Sequence, residues 1–67
     1  MARLSYKRLW MRLIDNNMTK ADLRRLADIS TTTLTKLNKS QPVSLDVLMK
    51  FCQLLHCDIG DIVEVIL

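Results

Sequence analysis

The stretch TKADLRRLADISTTTLTKLNK, from Thr19 to Lys39, restricts what this chain can fold into more than any other part of it. Its apolar residues Leu23, Leu26, Ala27, Ile29, Leu34 and Leu37 recur at helical spacing on either side of a short interruption. Two brief helices therefore each commit one side to a shared core. Thr19 followed by Asp22 is a capping-box-like start for the first of them, with the carboxylate near the positive helix end. That helix is predicted to stop near Ala27. Asp28 then stands where a tight turn needs a left-handed or similarly unusual backbone, Ile29 plugs the turn into the core, and Ser30 caps the second helix. Lys20, Arg24, Arg25, Thr31, Thr32, Thr35, Lys36 and Lys39 are left for solvent or a ligand.

The flanking sequence supplies helices for this pair to pack against. Tyr6, Leu9, Trp10, Leu13 and Ile14 predict a first helix from about Ser5, as N-cap, to about Asn16, with Trp10 in the core. Asn16, Asn17 and Met18 break that pattern. After the central pair fades around Asn38 to Ser40, a loop through Gln41, Pro42 and Val43 resets the direction. Ser44 caps a fourth helix whose apolar residues Leu45, Val47, Leu48, Phe51, Cys52, Leu54 and Leu55 encircle so much of the axis that it is expected to be the most buried element. His56 and Cys57 end it. Asp58 with Asp61 repeats the cap pattern for a fifth helix carrying Ile59, Ile62, Val63 and Ile66, although the β-branched run from Ile62 to Ile66 leaves an extended segment as the alternative. The expectation is one all-α, five-helix domain over residues 1–67.

A chain of 67 residues buries only about 60% of the surface its unfolded form exposes, so a rigid substrate pocket would be hard to build. Its one Gly, one Pro and 49% apolar content argue against a disordered tail, and its interspersed charges argue against a membrane helix. Arg3, Lys7, Arg8 and Arg12 run through the apolar positions of the N-terminus rather than ahead of them, which is not the layout of a signal peptide. The expected location is the cytoplasm of a bacterial cell, the sequence being bacterial or phage-derived. Charge is divided unevenly: residues 1–39 hold nine Lys or Arg against three Asp, while residues 40–67 hold one Lys against three Asp and one Glu. Such a division turns the N-terminal part toward a polyanion and the C-terminal part away from it.

Other chemistries find less support. Cys52, His56 and Cys57 place two soft ligands and an imidazole near one helix end, but a structural zinc site wants a fourth ligand and usually a paired cysteine spacing. Two cysteines five residues apart on one helix would also be too far apart for an ordinary disulfide. Asp58, Asp61 and Glu64 are accounted for by capping and solvation. No catalytic triad, phosphate loop or general acid–base pair stands out, so neither catalysis nor a small-molecule substrate is expected, and no cofactor or metal is implied.

The LRRLADISTTTLTKL core resembles the phage-repressor and Cro type of helix-turn-helix domain, the XRE-like family of transcriptional regulators. Leu23, Ile29, Ser30, Leu34 and Leu37 match its core and cap pattern, and SLDVLMKFCQLLHCDIGDIVEV is similar to its last two helices. The YKRLW first helix points to a compact single-domain subgroup. The resemblance implies a helix-turn-helix over about residues 19–39 whose second helix lies in the major groove of double-stranded DNA. Thr31, Thr32 and Lys36 then fall at base-reading positions, with Thr35 beside them: a threonine offers hydroxyl and methyl, and a lysine can donate to guanine. Thr33 is assigned to the helix start alone. Thr19 and Lys20 at one helix start, Ser30 at the other, and Lys39 beyond the end occupy positions that meet phosphate; Arg24 and Arg25 either extend that track or are solvated arginines paired with Asp28 or Asp22, and Arg3, Lys7 and Arg8 are weaker candidates. Three residues depart from the pattern: Arg24 replaces a small Ala, while Asp28 and Ser40 each replace a Gly. Repression by promoter occlusion is the simplest activity, exercised by two copies; the apolar residues Ile62 to Leu67 serve either as the meeting surface of a homodimer or simply to close the core. The alternative is a protein-interaction module, such as an antitoxin or adaptor, using the same helices.

Overall fold

The computed structural model describes residues 2–67. In chain order it contains strand β1 (Arg3–Ser5), helices α1 (Lys7–Asp15), α2 (Lys20–Ala27), α3 (Thr31–Asn38) and α4 (Leu45–Leu55), a 3-10 turn (Ile59–Asp61) and strand β2 (Glu64–Ile66). The fold is thus mostly helical, with four α-helices among the described residues rather than the expected five. The capping box foreseen at Asp58 and Asp61 does form, but it opens only a single 3-10 turn. Beyond it the β-branched tail becomes β2 and pairs antiparallel with β1, Arg3 opposite Ile66, Leu4 opposite Val65 and Ser5 opposite Glu64. Ser5 consequently belongs to a strand, and Tyr6 takes the N-cap position of α1. No helix among the described residues is long and apolar enough to cross a membrane.

The core is built from Tyr6, Leu9 and Leu13 before and along α1, Leu23 and Ala27 of α2, Ile29 of the turn, Leu37 of α3, Phe51 and Leu55 of α4, and Ile62 after the 3-10 turn. Tyr6 is the one core residue with a polar side-chain group, and its hydroxyl donates to the carbonyl of Gln41 at 2.7 Å. Burial pushes that hydroxyl up from its ordinary range, against a smaller downward pull from the backbone of Val43. Three apolar positions assigned inward turn out otherwise. Leu26 is 51% exposed, Ile14 is 73% exposed, and Trp10 is only partly buried against the core. α4 is likewise one-sided: Phe51 and Leu55 are buried, while Leu45 and Met49 face solvent. A helix rich in apolar residues can bury only the face its neighbours cover, and α4 packs mainly on α2 and the 3-10 turn.

Every α-helix is followed by a residue in the left-handed region: Asn17 (φ 55°), Asp28 (54°), Ser40 (56°) and His56 (53°). None is glycine. At His56 the turn closes α4, and the N–H of Cys57 donates back to the carbonyl of Cys52 at 3.1 Å. This overturns the reading of Cys52 and Cys57 as two positions on one straight helix, because His56 folds Cys57 back over the last turn.

Candidate nucleic-acid interface

The orientation of α3 follows from two leucines, Leu37 fully buried and Leu34 packed at the core's edge. With that side fixed, helical spacing turns Thr31, Thr32, Thr35 and Lys36 outward, and all four are exposed. The turn ahead of α3 sets its entry. Asp28 adopts φ 54°, ψ 49°, its N–H donating to Arg25, and the N–H of Ile29 reaches the carbonyl of Arg24 at 3.1 Å. Ser30 is extended, and its hydroxyl oxygen accepts the N–H of Thr33 at 3.1 Å. The Thr33 hydroxyl lies 3.1 Å from that of Ser30, so Thr33 is engaged in the cap, as its assignment to the helix start anticipates. Thr35 donates its hydroxyl proton to the carbonyl of Thr31 at 2.9 Å. It therefore presents outward a methyl group and the free lone pairs of its oxygen.

At the start of α2, Thr19 and Asp22 form the expected reciprocal box. The Thr19 hydroxyl accepts from the Asp22 N–H at 3.1 Å, and the Asp22 carboxylate accepts from the Thr19 N–H at 3.0 Å. The bonds from the Thr19 backbone and hydroxyl, then the one from Arg25, hold the Asp22 carboxyl below the usual carboxylate range. Arg25 pairs with Asp22 at 3.3 Å, whereas Arg24 is exposed and has no acidic partner among the described residues. The long side chain at position 24 does not push the helices apart, since Ala27 and Ile29 stay buried beneath it.

Lys20 differs from a freely solvated lysine. Its ammonium donates to Asn38 Oδ1 at 2.8 Å and sits 4.2 Å from the centroid of the Trp10 ring. One side chain thereby ties α1, the start of α2 and the end of α3 together, through a charge-assisted hydrogen bond and a cation–π contact. Neither Trp10 nor Asn38 was foreseen in this role. The only trace in the sequence is the presence of a lone tryptophan and an asparagine at the end of α3, separated from Lys20 by ten and eighteen residues.

The fold also sorts the remaining cations. Arg8 reaches Glu64 at 3.1 Å and the carbonyl of Gly60 at 2.9 Å, and Arg12 reaches Asp61 at 3.6 Å. Two basic residues of α1 are thus matched by the acidic C-terminal segment, which partly offsets the charge of Arg8 while leaving its side chain half exposed. Arg3 instead borders the same cleft as Lys39 and Ser40, beside Ile66. Seven cations are not matched by a carboxylate among the described residues: Lys20, Arg24, Lys36, Lys39 and Arg3, in keeping with a surface for a polyanion, together with Lys7 on α1 and Lys50 on α4. Among the described residues no three His, Cys, Asp or Glu side chains converge to hold a metal ion.

Comparison with known proteins agrees with this geometry. A family model described as the Cro/C1-type HTH DNA-binding domain matches residues 8–67. Among curated proteins there is no match. The crystal structure of the transcriptional regulator VanUg superposes with a TM-score of 0.95 at 46% identity, over 97% of this chain and 87% of that one. With the two capped helices, the left-handed turn between them and a family match over nearly the whole length, the chain belongs to the Cro/C1-type helix-turn-helix DNA-binding domain family.

Proposed function

We propose that this chain is a transcriptional regulator that binds double-stranded DNA sequence-specifically with α3 in the major groove. Thr31, Thr32 and Lys36 read base edges, with Thr35 beside them, while Thr19, Lys20, Arg24, Ser30 and Lys39 meet phosphates. The observation that carries this reading is the exposed row of hydroxyl and ammonium groups along α3, on a domain of the Cro/C1-type HTH DNA-binding family. With no Arg, Gln or Asn on the exposed first turn, each base contact discriminates at or below the ordinary ~1 to 3 kcal/mol. Specific sites then need two copies, on half-sites roughly 34 Å apart. The C-terminal segment, where Val65 and Leu67 are exposed, is the proposed meeting surface of that homodimer. Occlusion of a promoter, hence repression, is the simplest consequence, exercised in the cytoplasm.

Selection from a random duplex library separates the parts of this proposal. Thr32→Ala and Lys36→Ala should change the preferred sequence more than overall affinity, and Lys39→Ala should lower affinity uniformly and reduce the salt slope by about one unit. A palindromic motif together with a dimer in sedimentation on the selected duplex supports two-copy binding. Unchanged motifs in both α3 variants would refute the base-reading assignment. Duplex affinity that stays flat between about 50 and 200 mM salt would point instead to a protein-binding use of the same face.

A further inference from the structure

The end of α4 brings two thiols together that the sequence leaves apart. His56, at φ 53° and ψ 53°, leaves the helix in the left-handed region, and the N–H of Cys57 closes on the carbonyl of Cys52 at 3.1 Å. This type of helix ending frequently brings the side chains of its first and last residues into contact, and here the two thiols are near enough to hydrogen-bond. Standard bond lengths across that hydrogen bond hold the two α-carbons within about 7 Å at full stretch, and closer once the bond is bent. Disulfides need α-carbons roughly 4.4 to 6.8 Å apart. Both side chains are free thiols, only partly buried, and both pack against the edge of the core. We propose that Cys52 and Cys57 form a reversible dithiol site that closes to an intramolecular disulfide on exchange with a small-molecule disulfide.

The electron balance is that of ordinary thiol–disulfide exchange. The Cys57 thiolate attacks one sulfur of the external disulfide, its S–S bond breaks, and one small thiolate departs and takes up a proton. The Cys52 sulfur, losing its proton to solvent, then attacks the Cys57 side of the mixed disulfide and expels the second small thiol. Protein sulfur is oxidised by two electrons and the external disulfide is reduced to two thiols. Burial, followed by the nearby Cys57, Asp58 and Asp61, raises the Cys52 thiol above its ordinary range, so less of it is thiolate and it reacts only in the second step, where the mixed disulfide is held beside it. Asp58 and Asp61, on the adjoining 3-10 turn, are the acidic groups facing the pair.

The test exposes the intact folded chain to oxidised glutathione and follows its mass. The expected product is lighter by two hydrogens, carries no glutathione adduct and returns to the starting mass on reduction. Cys52→Ser and Cys57→Ala should each instead retain one glutathione, because no second thiol resolves the adduct. His56→Val, which disfavours the left-handed turn, should slow ring closure several-fold while far-ultraviolet circular dichroism verifies that the helices persist; should that variant unfold, His56→Gly, expected to close at least as fast as wild type, supplies the comparison. A wild-type chain that stays reduced, keeps a stable glutathione adduct or cross-links between two molecules overturns the proposal.

Discussion

Asn17, Asp28, Ser40 and His56 each hold a conformation that glycine adopts at no steric cost, while the chain's only glycine, Gly60, sits elsewhere and not in the left-handed region. An L-residue in that region is disfavoured by roughly 1–2 kcal/mol, less for asparagine and aspartate, whose side chains bond locally. Ser40→Gly is accordingly expected to raise stability by about 0.5–1 kcal/mol after the glycine's own entropy is counted, and Asn17→Gly by less. A Cβ added at Gly60 meets nothing within 4 Å. Gly60→Ala should therefore add about 0.4–1 kcal/mol by narrowing the unfolded ensemble. Urea midpoints of the three variants check these values, and a Ser40→Gly protein less stable than wild type would contradict the strain assigned there. The backbone demand at Asp28 is legible in the sequence because a turn between two capped helices announces itself locally, whereas Ser40 stands out only through the family resemblance. The exposure of Leu26 and Ile14 was not, since helical spacing names a face without saying how wide a neighbour will cover it.

Among the elements, α2 and α3 were the most readable, because capping is decided within four residues. Ser30 and Ser44 accept the N–H bonds their positions foretold, and Thr19 with Asp22 forms the complete box. Thr19→Ala should cost about 1 kcal/mol of stability. The Asp22 half of the box is expected to show in acid. Its carboxyl lies below the ordinary range when folded, so the stability it contributes is present above that range and is lost as pH falls through the depressed value. Thermal unfolding of Asp22→Asn should show a shallower acid limb than wild type, and parallel limbs would remove the carboxylate from the account. The Trp10–Lys20–Asn38 tie lay beyond sequence reasoning for the opposite reason: its three members lie on three helices, and only their packing brings them within 4.2 Å. The fifth helix failed on similar grounds. Its cap forms where the sequence places it, but β2 is stabilised by β1, a partner about sixty residues distant in the sequence.

Over the whole molecule, the divided charge of the sequence is partly reconciled by folding. Arg8 with Glu64 and Arg12 with Asp61 join α1 to the C-terminal segment, although ion pairs this exposed contribute only about 0–1 kcal/mol each. What holds the two ends is mainly the burial of Ile62 and the pairing of Arg3–Ser5 with Glu64–Ile66. Each strand has only three residues, none of them buried, and lies at an end of the chain, which makes this pairing the easiest part of the fold to open. Amide hydrogen exchange should accordingly be fastest among the bonded amides in β1 and β2 and slowest around Leu23, Leu37 and Phe51; strand amides as protected as those of α2 would show that the sheet opens only with the whole molecule. The same pairing brings residues 2 and 67 to one side of the protein, where Arg3 and Ile66 share a cleft with Lys39 and Ser40. Any polypeptide joined to either end would emerge at that one spot, next to an ammonium assigned to phosphate. A lysine-rich extension would lengthen the cationic track, and an acidic one would shield it, whichever terminus carried it.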